Sequence, residues 1–255
     1  TSGFRKPTIA DINGDGIPEI VVGYSAKGPL TPGYIREEDY VTVFDNQGRI
    51  LWTARGGGSS SSASPSQGNV VVQDIDLDGD LEILYSDDVY DHQGNLLLSN
   101  SPPFNTLIVY DVAVANLDND PFAEIVYLDQ YATLYIYEHT GVKKWGPITN
   151  PGSGFSLLTI GDADGDGKAE ILITAGTNIR ITAGDGSSTR VIPVPFSGGY
   201  SSGSTTIFDL NGDGKPELIH LGARGPFDTV GGARGAVFIF DGQTGTHLYS
   251  IKSAN

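Results

Sequence analysis

Acidic and amide side chains recur at fixed spacing in a ten-residue motif that the chain contains five times. The first copy begins at Asp11 and reads Asp-Ile-Asn-Gly-Asp-Gly-Ile-Pro-Glu-Ile. Each copy has Asp or Asn at positions 1, 3 and 5 and Glu at position 9. Oxygen side chains on alternate residues of a tight loop can converge on one point, and Ca²⁺ prefers about six to eight oxygen ligands. The motif therefore predicts up to five calcium ions, one in each loop.

The predicted ligand set takes in positions 1, 3, 5, 7 and 9 of every copy. In chain order its members are Asp11, Asn13, Asp15, Ile17, Glu19; Asp74, Asp76, Asp78, Asp80, Glu82; Asn116, Asp118, Asp120, Phe122, Glu124; Asp162, Asp164, Asp166, Lys168, Glu170; and Asp209, Asn211, Asp213, Lys215, Glu217.

The third copy departs from the pattern at two positions. Asn116 replaces the charged residue at position 1, and Pro121 stands where the other four copies have Gly. Proline fixes φ near −65° and cannot adopt the positive φ that is open to glycine in a sharp turn. We therefore predict that the third site is the weakest.

The residues around each motif predict strands. Short aliphatic runs such as Glu19-Ile-Val-Val follow the Glu, which differs from an EF-hand, where Glu lies at position 12 and a helix follows. Further along each unit, a strand ends in a small polar turn such as Asp45-Asn-Gln-Gly48, and a fourth strand follows. Four-stranded units that repeat about every 40–50 residues are typical of β-propeller blades.

The predicted fold class is thus all-β, a β-propeller of five four-stranded blades, each with a calcium loop between its first two strands. We expect a single domain over residues 1–255, with blades at about 4–54, 69–99, 106–146, 155–195 and 204–252. Each blade's four strands are contiguous, so we expect a ring that closes without a shared strand.

The motif, together with Val43-Phe-Asp-Asn-Gln-Gly-Arg-Ile-Leu-Trp52, resembles the FG-GAP/VCBS-type calcium repeat. This repeat occurs in integrin α-chain propellers, in secreted microbial proteins and in propeller-type rhamnogalacturonan lyases. The resemblance extends from about Pro7 to Ile251 and implies a calcium-binding propeller. Literal Phe-Gly and Gly-Ala-Pro signatures are absent, so the resemblance does not imply integrin-like ligand binding.

Composition narrows the classes of partner. The net charge is −16, and 18 of the 31 acidic residues lie in the five loops, so bound calcium would neutralise much of it. No stripe of Lys and Arg is available to neutralise phosphates, which argues against nucleic acid. The sequence contains no run of about 18 apolar residues, so it predicts no membrane span. Because the chain starts at Thr1 without a signal peptide, we expect a processed or excised product.

Three functions are compatible with these features. The first is an extracellular, secreted module that recognises a glycan or an extracellular protein, and it is monomeric or part of a larger assembly. The alternatives are a polysaccharide lyase acting on uronic acids, with unknown catalytic residues, and a structural subunit of an extracellular assembly. Binding residues concentrate on variable loops held by a rigid scaffold. The predicted ligand-binding residues lie on long loops opposite the calcium loops: Tyr34, Arg36, Tyr40, Arg224, Phe227 and Arg234.

Overall fold

The computed structural model describes residues 6–27, 37–55, 69–99, 109–118, 120–149, 157–175, 177–195, 204–223 and 235–252. Within these ranges the chain forms 20 strands arranged as five four-stranded sheets. Each sheet is built from four consecutive strands in sequence order, which is the strand order of a propeller blade. The predicted all-β fold class with five four-stranded blades is therefore confirmed.

The strand bounds follow the repeat. Sheet one contains β1 (Thr8–Ala10), β2 (Glu19–Lys27), β3 (Glu37–Phe44) and β4 (Ile50–Arg55). Sheet two contains β5 (Val71–Gln73), β6 (Glu82–Tyr85), β7 (Asp88–Tyr90) and β8 (Leu96–Ser99). Sheet three contains β9 (Val109–Ala115), β10 (Glu124–Asp129), β11 (Thr133–Tyr137) and β12 (Lys143–Thr149). Sheet four contains β13 (Leu158–Gly161), β14 (Glu170–Ala175), β15 (Asn178–Ala183) and β16 (Thr189–Pro193). Sheet five contains β17 (Thr205–Phe208), β18 (Glu217–Ala223), β19 (Gly235–Asp241) and β20 (His247–Lys252).

The second and third strands of each sheet are more buried than the first and fourth. All described residues of β6 and β10 are buried, because aliphatic and tyrosine side chains pack on both faces. The fourth strand is more exposed, as the half-buried and exposed residues of β4 and β8 show. The prediction that the runs after each Glu are buried strands is correct.

Two compact units divide the chain. One comprises Thr1–Val114, Phe122–Gln130 and Tyr135–Lys144, and the other comprises Ala115–Pro121, Tyr131–Leu134 and Trp145–Asn255. The first unit contains one apolar cluster around Val21, Val43 and Tyr85 and another around Leu84 and Tyr127. The second unit contains a cluster around Leu172 and Phe240. The expected single domain and closed ring remain predictions.

No helix in the described ranges is long and apolar enough to cross a membrane.

Candidate metal centre

The five acidic motifs form the connections between the first and second strands of the five sheets. We call them loops one to five, with residues 11–19, 74–82, 116–124, 162–170 and 209–217. The Glu at position 9 is the first residue of the second strand in every sheet. In the four sheets with a defined register, it pairs with the last residue of the first strand, as Glu19 does with Ala10. The sheet therefore holds both ends of each acidic loop.

The Glu at position 9 is buried in all five loops, with between 0% and 7% of its surface exposed. In loops one, two, four and five, its Oε2 oxygen accepts a hydrogen bond from the backbone N–H of position 2. Such a contact fixes one carboxylate oxygen against the backbone and leaves the other to face the loop, where Oε1 of Glu217 accepts a hydrogen bond from the side-chain amide of Asn211. The four N–H donors are Ile12 at 3.1 Å, Ile75 at 2.9 Å, Ala163 at 2.8 Å and Leu210 at 2.7 Å.

The glycine at position 6 closes the turn in the same four loops. Its φ lies between 84° and 100°, a left-handed conformation that favours glycine. Its backbone N–H donates to the Oδ2 oxygen of the Asp at position 1, which holds that carboxylate over the loop. The distances are 2.7 Å from Gly16 to Asp11, 3.2 Å from Gly79 to Asp74, 2.9 Å from Gly167 to Asp162 and 2.9 Å from Gly214 to Asp209.

These contacts gather carboxylate oxygens from one loop into a small volume. In three loops, three acidic side chains place one oxygen each within 4.8 Å of one another. Loops one and five have Asn at position 3, and that side chain accepts the N–H of position 5 as its equivalents do. The three acidic groups are Asp74, Asp76 and Asp78; Asp118, Asp120 and Glu124; and Asp162, Asp164 and Glu170.

Loop two shows that the donor set fits a hard cation. The Oδ1 oxygen of Asp74 is buried and has no hydrogen-bond partner among the residues that the structure describes. Burial raises the pKa of Glu82 to about 7, and the neighbouring charges of Asp76, Asp78 and Asp74 contribute to the increase. In loop four, burial likewise raises the pKa of Glu170. Clustered carboxylates of this kind favour an oxygen-liganded divalent ion such as Ca²⁺ over zinc or copper.

The side chains at positions 1, 3, 5 and 9 would hold such an ion. At position 7, the side chains of Ile17, Phe122, Lys168 and Lys215 carry no oxygen, so only Asp80 brings a carboxylate there. The Asp80 Oδ2 oxygen lies 3.3 Å from Nδ1 of His92, so the imidazole ring also contacts this carboxylate. The assignment of individual ligands stays a prediction.

Loop three has a different hydrogen-bond pattern at positions 1 and 6. Pro121 has no N–H and so cannot make the bond that glycine makes in the other loops. The side-chain amide of Asn116 donates instead to the backbone carbonyl of Asp120. The position-1 side chains of the other loops are charged carboxylates, whereas Asn116 offers one neutral oxygen, which already accepts the N–H of Asp118. This difference gives a physical basis for the predicted weakness of this site.

A lysine from the fourth strand of sheet three reaches the Glu of loop three. The Nζ atom of Lys144 lies 2.8 Å from Oε1 of Glu124 and 2.9 Å from Oε1 of Glu138. The Lys144 side chain is only 17% exposed, and that of Glu124 is fully buried. Sequence reasoning missed Lys144 because it lies outside the motif. The sequence nevertheless contained a signal. Lys144 lies three positions after the turn glycine of its unit, and the equivalent residues in the other sheets are uncharged: Leu51, Leu97, Thr189 and Leu248.

Most of the predicted ligand-binding residues lie outside the described ranges: Tyr34, Arg36, Arg224, Phe227 and Arg234. Tyr40 is described and lies in β3 rather than on a loop, because it pairs with Tyr24 of β2, and its ring stacks on that of Tyr24 with centroids 5.6 Å apart. Because this stacking uses one face of the Tyr40 ring, the role of the residue in ligand binding stays a prediction.

The second unit contains a polar cavity of about 460 Å³ beside loop four. Its lining includes Asp164 and Lys168 from loop four, the polar residues Ser187 and Thr189, and Arg190. The Arg190 guanidinium donates to the backbone carbonyls of Gly242 and Gln243, the latter at 2.8 Å, which fixes its position. The cavity thus combines hydroxyl groups with both signs of charge.

Five propeller-type blades with a repeated acidic loop define the class of the protein, and comparison with known families agrees. The model for the FG-GAP-like repeat matches residues 11–85, 116–173 and 162–220, more than half of the chain. The chain belongs to the FG-GAP-like repeat family. A search of curated proteins gives no match.

Solved structures with the same fold come from proteins of different kinds. The rhamnogalacturonan lyase PL11 from Bacillus licheniformis is 18% identical with a TM-score of 0.61, over 99% of this chain and 51% of its own. The exotype rhamnogalacturonan lyase YesX is 18% identical with a TM-score of 0.60, over 99% and 50%. The V. cholerae biofilm matrix protein Bap1 is 22% identical with a TM-score of 0.55, over 79% and 32%. The chain thus spans between about a third and a half of these proteins, and identities this low show the fold alone.

Proposed function

We propose that the chain is an extracellular, calcium-stabilised propeller module that recognises a glycan or an extracellular protein. The observation that carries the calcium part is the recurring contact in which a buried Glu binds the backbone of its own loop. It occurs in four loops with nearly the same geometry, although their intervening residues differ. A hairpin turn alone does not require a buried acid, whereas a cation site does.

Calcium dependence supports an extracellular location. Loops of this kind with a Kd of about 0.1–1 mM would be filled at roughly 1 mM extracellular calcium. Two of the similar folds belong to rhamnogalacturonan lyases, whose name gives a polysaccharide as the substrate. These similarities favour a glycan as the ligand.

The polar cavity beside loop four is the described surface that best suits a saccharide. Its volume lies within the range of about 300–1,000 Å³ that is usual for small-molecule sites. Hydroxyl groups of Ser187 and Thr189 can exchange hydrogen bonds with sugar hydroxyls, and Lys168 can pair with a carboxylate. The long loops predicted to bind ligand are the alternative location.

A glycan array read with calcium and with chelator tests this proposal. We expect calcium-dependent binding of an acidic or neutral polysaccharide. Substitution K168A in the cavity should weaken binding of an acidic hit, while K143A, an exposed lysine on β12, serves as the control. Binding that is lost in R36A but unchanged in K168A would assign recognition to the long loop, and the absence of any glycan hit would favour a protein ligand.

A lyase is the second candidate because the two lyase folds align with 99% of this chain. Such an enzyme needs a cation to neutralise a uronate carboxylate and a base to remove a proton. It releases unsaturated uronides, which absorb in the ultraviolet. Incubation of the chain with each acidic polysaccharide from the array, followed by absorbance, separates catalysis from binding.

A structural subunit is the third candidate, and the similarity to a biofilm matrix protein favours it. A subunit of this kind would form polymers at modest concentration with calcium present. Light scattering across a concentration series distinguishes a polymer from a monomeric recognition module.

A further inference from the structure

We propose that Lys144 is the resident cation of loop three, so that this loop is stabilised by the chain's own ammonium group and binds no calcium in the native protein. The inference rests on the proposed calcium loops and identifies a residue that sets how many ions the protein holds. A half-buried ammonium group lies there between two carboxylates.

The ammonium group of Lys144 contacts two glutamates. Lys144 Nζ is within 2.9 Å of carboxylate oxygens from both Glu124 and Glu138, so it bridges position 9 of loop three and the residue after β11. Glu124 is fully buried, and a buried carboxylate is costly unless a positive charge compensates it. Lys144 supplies that charge from within the chain.

In the described part of the chain, the equivalent glutamates of the other loops have no ammonium group at Oε1. Among the described residues, Glu19, Glu82 and Glu170 use Oε2 for the backbone of their own loop and show no hydrogen bond at Oε1. The Oε1 oxygen of Glu217 accepts from the neutral side-chain amide of Asn211. In Glu124, the Oε1 oxygen is the one that Lys144 contacts. A metal ion would have to compete with the lysine for this oxygen.

In the other sheets, an uncharged residue occupies the position of Lys144. Leu51, Leu97 and Leu248 occupy it in sheets one, two and five, and between 46% and 51% of each is exposed. In those sheets the register between the third and fourth strands shifts next to this position. A β-bulge changes the direction in which side chains point. Sheet three is the one sheet whose sequence has a lysine at this position, and its acidic loop is the one that lacks the position-6 glycine.

Calcium stoichiometry of matched variants tests the inference. We expect wild-type protein to bind four calcium ions by isothermal titration calorimetry and K144M to bind a fifth. The control K143M removes an exposed lysine next to it on β12 and should still bind four. The variant K144R keeps the charge and should also bind four.

A second pair of variants assigns the fifth ion to loop three. Asp76 and Asp118 both occupy position 3, in loops two and three. In the wild-type background, D76N should lose one ion and D118N should lose none. In the K144M background, D118N should lose one.

Thermal stability tests the same inference without a count of bound calcium ions. In chelator, K144M should melt several degrees below K143M, because Glu124 and Glu138 lose their cation, and calcium should remove most of that difference. Five ions in the wild-type protein, or K144M behaving as K143M does, would overturn the inference alone. Absence of any calcium binding would overturn the proposed function together with it.

Discussion

In loop two, Glu82 binds the backbone of its own loop, and burial, together with the charges of three aspartates beside it, raises the pKa of the glutamate to about 7. In loop three, the equivalent Glu124 contacts the ammonium group of Lys144. Both sheets thus bury an acid at the same point, but one loop accumulates negative charge while the other contains its own positive charge. The comparison supports the proposal that the repeat places a cation at this point, which comes from solvent in loop two and from the chain in loop three.

Removal of calcium should have the largest effect on the protein. Each filled site with a Kd of about 0.1–1 mM contributes about 0.4–1.4 kcal/mol at roughly 1 mM calcium. Four sites therefore contribute about 2–6 kcal/mol to the free energy of unfolding, a large share of a domain's stability. Urea unfolding with calcium and with EDTA measures this difference. Equal unfolding curves would show that the acidic loops are turns without a metal role.

Neutralisation of the same position in two loops should give different calcium dependences. E124Q leaves Lys144 with one carboxylate fewer and should cost about 3 kcal/mol, both with calcium and with EDTA. E82Q should cost up to about 1.4 kcal/mol with calcium, because one site is lost. In EDTA it should cost little, because the substitution removes a repelling charge.

Chemical denaturation of both variants under both conditions provides the measurement. Glutamine keeps the side-chain shape and an oxygen that can accept the backbone N–H in either loop. If E124Q costs stability only with calcium, loop three is a metal site like loop two, and the contrast between them is wrong.

Much of this comparison could be predicted from sequence, and the rest depends on contacts that span many residues. The acidic pattern predicted the loops, the strands on either side and the exceptional character of Asn116 and Pro121. It did not predict that Glu82 would bind the N–H of Ile75, because a pattern of residue types does not give the direction of a backbone N–H. It did not predict the pairing of Lys144 with Glu124, because strand pairing brings together residues 20 positions apart.

A pH dependence that is independent of calcium should accompany these effects and is the smallest of them. Asp87 lies in the turn between β6 and β7, at the end of sheet two opposite loop two. Burial raises its pKa to about 6, with the charge of Asp88 as the next cause. The folded state therefore keeps a proton that the unfolded state releases near pH 4. The contribution of Asp87 to the free energy of unfolding should fall as pH rises from about 4 to 6 and level off above that.

The part of this decrease between pH 5 and 7 amounts to about 1 kcal/mol. The variant D87N should remove it equally with calcium and with EDTA, as urea unfolding across this pH range would show. If D87N removed the pH-dependent decrease only in EDTA, Asp87 would be linked to calcium binding. Its effect could then not be separated from the difference between loops two and three.

The most direct test of the account is the anomalous scattering of crystals grown with calcium. We expect strong anomalous peaks in loops one, two, four and five, each surrounded by oxygens from positions 1, 3, 5 and 9. In loop three we expect no peak and the Lys144 ammonium group between Glu124 and Glu138. A peak of equal height in loop three with Lys144 displaced, or no peak in any loop, would contradict the account.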